Sequence, residues 1–204
     1  ITANSPALTR VKVDGARHDA FFAEIAATPT LVNLTATRAG TNAYVLAGGT
    51  ISDNRTWDFG GLPVHVTSNV TVATGNAMTI VPGQVVKFHQ GAFFELNGLL
   101  DARGTSIKPI ILTSVPDDTA GGDSNANETA TGPLAGDWEA IYLDSNSPGA
   151  TLEFVEVRYA GNSFNPGNAG AFTPAVQIRG KANVSLSNVL VRDADWIGVD
   201  LSGD

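Results

Sequence analysis

Residues 117–128 form a polar segment whose side chains suit a hard metal ion. Five of them offer oxygen ligands: Asp117, Asp118, Asp123, Asn125 and Asn127. The last three occupy alternate positions of a D-x-N-x-N pattern, a spacing that lets side-chain oxygens converge on Ca²⁺. Glu128 stands where an EF-hand needs glycine, and Leu134 stands where it needs its final glutamate, so the segment is not an EF-hand. These five residues are candidate calcium ligands, although the sequence favours the alternative, a solvated loop without an ion.

A second acidic group lies near the end of the chain and comprises Asp193, Asp195, Asp200 and Asp204. Convergent carboxylates can serve as general acids and bases. Such a site also needs a basic partner on the same face, and the sequence offers no convincing one beyond Arg158, Arg179, Lys181 or Arg192. We therefore assign no catalytic residue and no cofactor-binding residue.

The composition excludes several classes of function. The 204 residues carry a net charge of −8 without a cluster of Lys and Arg, which argues against nucleic acid and against an anionic membrane surface. No apolar run approaches membrane-spanning length, so we expect no membrane insertion. The chain contains no cysteine, which excludes disulfides and thiolate metal sites.

The polar segments must be positioned by short strands. Between Asn69 and Ser114 five apolar runs, each too short for a helix, are separated by turn residues. Glycine recurs there every six to eight residues, at positions 75, 83, 91, 98 and 104. Such regular turning without a helical pattern indicates a strand solenoid, in which each rung is a series of strands and turns.

An internal repeat supports the solenoid. The pattern L-x-x-V-x-V begins at Leu8, Leu152 and Leu186, with a weaker copy at Leu31, and an alanine stands three residues beyond each copy. The first two copies are 23 residues apart, which is about the length of one rung, and stacked rungs pair their strands in parallel. The last two are 34 apart, and we attribute the excess to a loop insertion at 162–173; a second insertion occupies 115–133.

The solenoid also predicts where single side chains lie. His65 and His89 are 24 residues apart, so we expect them to be neighbours on outward positions; two histidines do not make a catalytic zinc site, which needs three protein ligands. Lys87 alternates with Val86 and is expected to point to solvent. The aromatic residues Trp57, Trp138, Trp196, Tyr44, Tyr142 and Tyr159 are embedded in apolar sequence, which favours core packing over an exposed sugar-stacking face.

The motifs between Gly49 and Tyr142 resemble a known group. They read TI-x-PG-x-x-V-K-F from Thr79, G-x-L-x-A-x-G-T ending at Thr105, and PI-x-x-TS followed by GDW-x-x-I ending at Ile141. In this order they are similar to right-handed parallel β-helix modules, of the pectate-lyase-like kind, in large exported bacterial surface proteins. The resemblance implies an all-β, right-handed parallel β-helix of roughly eight rungs over residues 1–204. Its ends show no clear caps, so we expect a segment of a longer chain.

Members of this group do not share one activity, so several functions stay open. The leading hypothesis is a non-catalytic structural or adhesive module that is extracellular or on the cell surface, with a polysaccharide or another cell-surface ligand as partner. The alternative is a polysaccharide-binding β-helix or a polysaccharide lyase or hydrolase. The second alternative is a filament subunit that self-associates through open solenoid ends.

Overall fold

The computed structural model describes residues 5–144, 147–162, 172–180 and 183–202, and these residues contain 22 strands, β1 to β22 in chain order, and no helix. Sheet 1 comprises β3 (Asp19–Ala23), β6 (Thr41–Leu46), β9 (Val64–Val66), β12 (Val85–Phe88), β15 (Ile110–Ser114), β18 (Val155–Arg158) and β21 (Leu190–Arg192). Sheet 2 comprises β7 (Gly49–Ile51), β10 (Val70–Val72), β13 (Phe94–Leu96), β16 (Ile141–Leu143), β19 (Val176–Arg179) and β22 (Val199–Ser202). Sheet 3 comprises β8 (Arg55–Trp57), β11 (Ala77–Ile80), β14 (Leu99–Arg103), β17 (Ala150–Glu153) and β20 (Val184–Ser187). Two further pairs join β1 (Ala7–Thr9) to β4 (Thr30–Val32) and β2 (Lys12–Asp14) to β5 (Thr35–Thr37).

Three successive strands make one rung, and each strand pairs in parallel with the strand three places later wherever a ladder forms. The described residues therefore form seven rungs, and β22 begins an eighth. This confirms the all-β parallel β-helix and the size expected from the sequence.

The core is a set of stacked aliphatic ladders. One ladder runs through Ile51, Val72, Leu96 and Leu143, all of which are fully buried. Alternate residues of each strand point inward, so equivalent positions of successive rungs meet at the strand spacing of about 4.8 Å. This periodicity explains why strands of three to five residues suffice.

The internal repeat corresponds to two one-residue corners in the left-handed conformation. The third residue of each copy has a φ between 48° and 54°: Arg10, Asn33, Phe154 and Asn188. The residue before each following alanine also has a positive φ: Gly15, Arg38, Tyr159 and Asp193. Leu8 pairs with Leu31, and Leu152 pairs with Leu186, which confirms that each pair of copies spans one rung. The two pairs of copies lie at different corners of the rung. In the copies at Leu8 and Leu31 the third residue lies between the first and second strands of a rung. In the copies at Leu152 and Leu186 it lies between the second and third strands.

Two of the three faces are interrupted between the second and third rungs. Sheet 1 runs through this point, whereas β4 is not paired with β7 and β5 is not paired with β8. The first two rungs are therefore joined to the remainder by one continuous sheet. A cavity described below lies at the interruption.

Both expected insertions interrupt the regular rungs. The segment 115–133 leaves β15 and is described throughout. Of the insertion at 162–173, residues 163–171 lie outside the described part of the chain, and Asn162 and Thr173 form an antiparallel bridge at its base.

Candidate functional site: a loop docked on charged outer positions

The insertion at 115–133, here called the covering loop, folds back over the outer face of sheet 1. It leaves the fifth rung, yet the Ser124 carbonyl accepts a hydrogen bond of 2.8 Å from the backbone N–H of Asn42 in the second rung. The Ser124 hydroxyl lies 2.8 Å from Nε2 of His65 in the third rung. The loop thus contacts strands that precede it by up to three rungs.

Lys87 is the central anchor of the covering loop. Its side chain points outward, as its alternation with Val86 predicts, but the prediction that it reaches solvent is wrong because the loop covers it completely. Its Nζ donates to the carbonyl oxygens of Asp117 and Gly122, both at 2.9 Å. Burial lowers the pKa of Lys87 to about 8, against the opposing charges of Asp118, Asp117 and Asp123. The ammonium is therefore still largely protonated at neutral pH.

Asp117 is fully buried beneath the same loop, and its carboxylate accepts several hydrogen bonds. The donors are the Thr113 hydroxyl at 2.7 Å, the Thr119 hydroxyl at 2.5 Å and its N–H at 3.1 Å, and Arg158 Nη1 at 3.0 Å. Burial alone would raise the pKa of Asp117, but the hydrogen bonds from Thr119, Thr113 and Arg158 hold it below the ordinary value.

Arg158 continues the network toward the next rungs. Its Nη2 donates to Glu156 at 2.7 Å, and Glu156 also accepts from Nε of Arg192 at 2.5 Å. Glu156 would have a raised pKa from burial, but these two arginines lower it. The buried arginines and carboxylates of this network are therefore paired with one another, so the charges that the loop buries are largely neutralised.

His65 is a buried neutral imidazole in this network. Its pKa is lowered from 6.5 to about 3, first by burial and then by the charges of Lys87 and His89. The rings of His65 and His89 lie 6.0 Å apart, which confirms that they are neighbours. Ser124 is its hydrogen-bond partner, so this histidine holds the loop in place.

The five predicted calcium ligands divide into two sets. Asp117 accepts hydrogen bonds from Arg158 and from two threonine hydroxyls. Asp123 accepts hydrogen bonds of 3.0 Å from the backbone N–H groups of Asn127 and Glu128. In contrast, buried Oδ1 atoms without a hydrogen-bond partner are found on Asp118, Asn125 and Asn127. The pKa of Asp118 is raised, chiefly by burial and then by the charge of Asp123.

Three oxygens without partners are a feature that a cation would satisfy. In the described part of the chain, no group of three or more His, Cys, Asp or Glu side chains is placed to hold a metal ion. This finding concerns only His, Cys, Asp and Glu side chains, so it says nothing of a site completed by the oxygens of Asn125 and Asn127. Calcium binding stays a prediction.

The second acidic group is divided among separate contacts. Asp193 pairs with Arg192 at 2.6 Å, in the corner after β21. Asp200 lies in β22, where its carboxylate accepts hydrogen bonds from Gln177 and Ser202. Asp204 lies outside the described residues.

Most of the aromatic residues pack in the core, as expected. Trp57 and Trp138 are buried, and Trp138 stacks on Phe88 with ring centroids 4.3 Å apart. Trp196 is the exception, because about half of it is exposed and it stacks on the similarly exposed Phe172 at 4.3 Å.

Sequence reasoning missed the docking of the covering loop. Outward positions of sheet 1 carry His65, Lys87 and Arg158, whereas the loop carries Asp117 and other acids. This complementary charge was a usable signal once the strand register was known.

No protein-family model, curated protein or solved structure matches the chain. The fold assignment therefore rests on strand pairing and burial. In the described residues no helix has the length and apolar character needed to cross a membrane.

Proposed function

We propose that this protein is a non-catalytic structural module of a secreted or cell-surface protein, in which a stiff solenoid acts as a spacer and presents its loops. The observation that carries the proposal is the network under the covering loop. Its buried ionisable groups all have partners inside the network: Lys87 binds the loop backbone, the Asp117 carboxylate binds Arg158, and His65 contacts the Ser124 hydroxyl. None of the three lines an open groove. The motifs similar to exported bacterial β-helix modules support the extracellular location.

The spacer role is tested by distance measurement. The chain has no cysteine, so spin labels can be placed at Thr56→Cys and Ser185→Cys. These exposed positions belong to one outward ladder of sheet 3, through Thr79, Asp101 and Thr151, and lie four rungs apart. We expect a single narrow distance of about 19 Å between the backbone positions, since rungs stack about 4.8 Å apart. A broad distribution of label-to-label distances, or one with two maxima at every protein concentration, would exclude a stiff spacer.

The absence of catalysis is tested on a panel of uronate and neutral polysaccharides. Reducing ends and unsaturated ends are measured together, because hydrolysis produces only the first and elimination produces both. We expect neither to rise above the level of heat-denatured protein. Turnover that is lost in Asp117→Asn but retained in Asp53→Asn, which alters an exposed carboxylate, would replace the structural proposal with an enzyme.

A polysaccharide-binding role is the second candidate, and one observation favours it. The stacked pair of Phe172 and Trp196 is about half exposed, and exposed aromatic faces can pack on the apolar faces of other molecules. Binding to a glycan panel that is abolished by Trp196→Ala, but kept by the buried-site variant Met78→Leu, would support this role. Equal binding by wild type and Trp196→Ala would remove the pair as a binding surface.

A further inference from the structure

The interruption between the second and third rungs contains a cavity of about 210 Å³. Its floor is buried and is formed by Leu31, Tyr44, Leu46, Trp57 and Phe59. Its rim is exposed and includes Asn54 and Asp58. The cavity therefore opens to solvent where neither β4–β7 nor β5–β8 pairing closes the wall.

The gap is bridged rather than collapsed. Arg55 in the third rung donates from Nη1 to the Ile25 carbonyl, and Gly60 accepts a hydrogen bond of 3.0 Å from the backbone N–H of Leu34 in the second rung. Arg55 also pairs with Asp53 at 2.9 Å. These contacts bridge the rungs beside the cavity.

Three aromatic rings line the floor of the cavity, beside Leu31 and Leu46. The ring centroids of Tyr44 and Phe59 lie 5.0 Å apart, and those of Trp57 and Phe59 lie 5.8 Å apart. Aromatic groups favour further rings in offset or edge-to-face arrangements. A cavity of about 150 Å³ with apolar walls is known to hold benzene, so this one has room for a single substituted ring.

One polar group on the lining lacks a partner. Nε of Arg55 is buried without a hydrogen bond, and the side chain as a whole is only 11% exposed. A buried donor without an acceptor costs free energy, and a ligand oxygen would remove that cost.

The local charge selects a neutral ligand. The positive charge of Arg55 is paired with Asp53, and Asp58 adds a further negative charge at the rim. An anionic ligand would meet the unpaired carboxylate as it entered. We propose that this cavity binds a small neutral aromatic molecule that carries one oxygen acceptor, with its ring against Tyr44, Trp57 and Phe59 and its oxygen on Arg55. This inference is independent of the structural role proposed above.

The test uses p-cresol as the probe and follows the methyl signals of Leu31 and Leu46 by NMR during titration. We expect saturable shifts of these signals. Benzoate, which has the same ring with a negative charge, and glucose, which has hydroxyls without a ring, should bind at least tenfold more weakly. Saturable binding of glucose or benzoate at equal or higher affinity would overturn the assigned ligand class.

Two variants locate the ligand. Arg55→Lys keeps the positive charge but removes the Nε donor, and it should weaken p-cresol binding about two- to tenfold, the range for one hydrogen bond, whereas Arg103→Lys in the fifth rung should leave it unchanged. Ala27→Trp places a bulky ring at the partly exposed rim and should abolish the shifts. Shifts that persist unchanged in Ala27→Trp, or no saturable shift in the wild type, would refute the site.

Discussion

Lys87 is a buried cation that organises the polypeptide around it. Its ammonium binds two backbone carbonyls of the covering loop, and Asp117, Asp118 and Asp123 lie near enough to oppose the fall in its pKa. Like a bound metal cation, the ammonium group gathers oxygen atoms of the loop around one positive charge. The cost of burying the charge is offset only while the loop stays docked.

Replacement of Lys87 by methionine should therefore destabilise the protein. The change keeps the length of the side chain but leaves the Asp117 and Gly122 carbonyls without their donor. We expect a loss of about 2 kcal/mol in the free energy of unfolding, measured by urea titration. Lys108→Met, at an exposed position, should change it by less than about 0.5 kcal/mol. Equal small effects would show that the loop does not depend on the ammonium.

His65 gives the fold a defined response to acid. Its folded pKa of about 3 lies below the ordinary 6.5, so the unfolded state binds more protons between these values. The stability that it contributes is complete above pH 6.5 and is lost as the pH falls toward 3. The charges that face it are Lys87 and His89, and both disfavour its protonation.

His65→Gln should flatten the dependence of unfolding free energy on pH between 6.5 and 4.5. Part of the slope should remain, because burial also lowers the pKa of His89. Gln90→Ala, which changes an exposed neutral residue, is the control and should leave the slope intact. An unchanged slope in His65→Gln would contradict the assignment of a buried neutral imidazole. Denaturant titrations at several pH values provide the measurement.

At the scale of elements, the covering loop contains all the predicted calcium ligands. Asp118, Asn125 and Asn127 keep buried oxygens without partners, whereas Asp117 is committed to Arg158. We predict that Ca²⁺ at one hundred times its dissociation constant stabilises the protein by about 2.7 kcal/mol, seen as a higher melting temperature that a chelator reverses. Asn125→Ala should abolish the response. No shift with Ca²⁺ in the wild type would leave the solvated-loop alternative.

The strands and turns were largely predictable, whereas the corners and the loop path were not. The sequence predicts a turn at Gly98. Only glycine fits there, because a Cβ would lie 2.4 Å from the Asn76 carbonyl oxygen. Phe154 and Tyr159 occupy corners in the left-handed conformation, which bulky residues seldom adopt, so the residue types did not predict these corners. Ladder position overrides the local preference at these points.

The path of the covering loop depends on contacts that are distant in sequence. His65 and Ser124 are 59 residues apart, and nothing in either local pattern indicates that they meet. Lys87 was correctly placed on the outer face from its alternation with Val86, and only the loop above it was missing. The sequence therefore predicted directions of side chains better than their exposure.

Over its full length the protein behaves as a stack whose last described rung is incompletely covered. Leu152 is 1% exposed, whereas Leu186, its partner one rung later, is 37% exposed, and Leu201 in β22 is 74% exposed. A strand edge with apolar side chains is a template for pairing with another chain. Association of the protein through this edge stays a prediction.

If that edge associates, mass measured by light scattering should grow with protein concentration. Leu201→Lys should suppress the growth, because a charge on the edge opposes strand addition. Ile107→Lys is the control, since Ile107 is 86% exposed but lies away from β22. A constant monomer mass across the concentration range would exclude association through this end.

The covering loop also sets a limit on how such a solenoid can vary in length. It leaves the fifth rung and is anchored on Asn42, His65 and Lys87 in the second, third and fourth rungs, and on Arg158 in the sixth. Gain or loss of one rung between these anchors would displace them by about 4.8 Å, which is beyond hydrogen-bond reach. Duplication of rungs outside this interval costs no such contact. Rungs two to six are therefore expected to be inherited as a fixed block, while the number of rungs on either side is free to change.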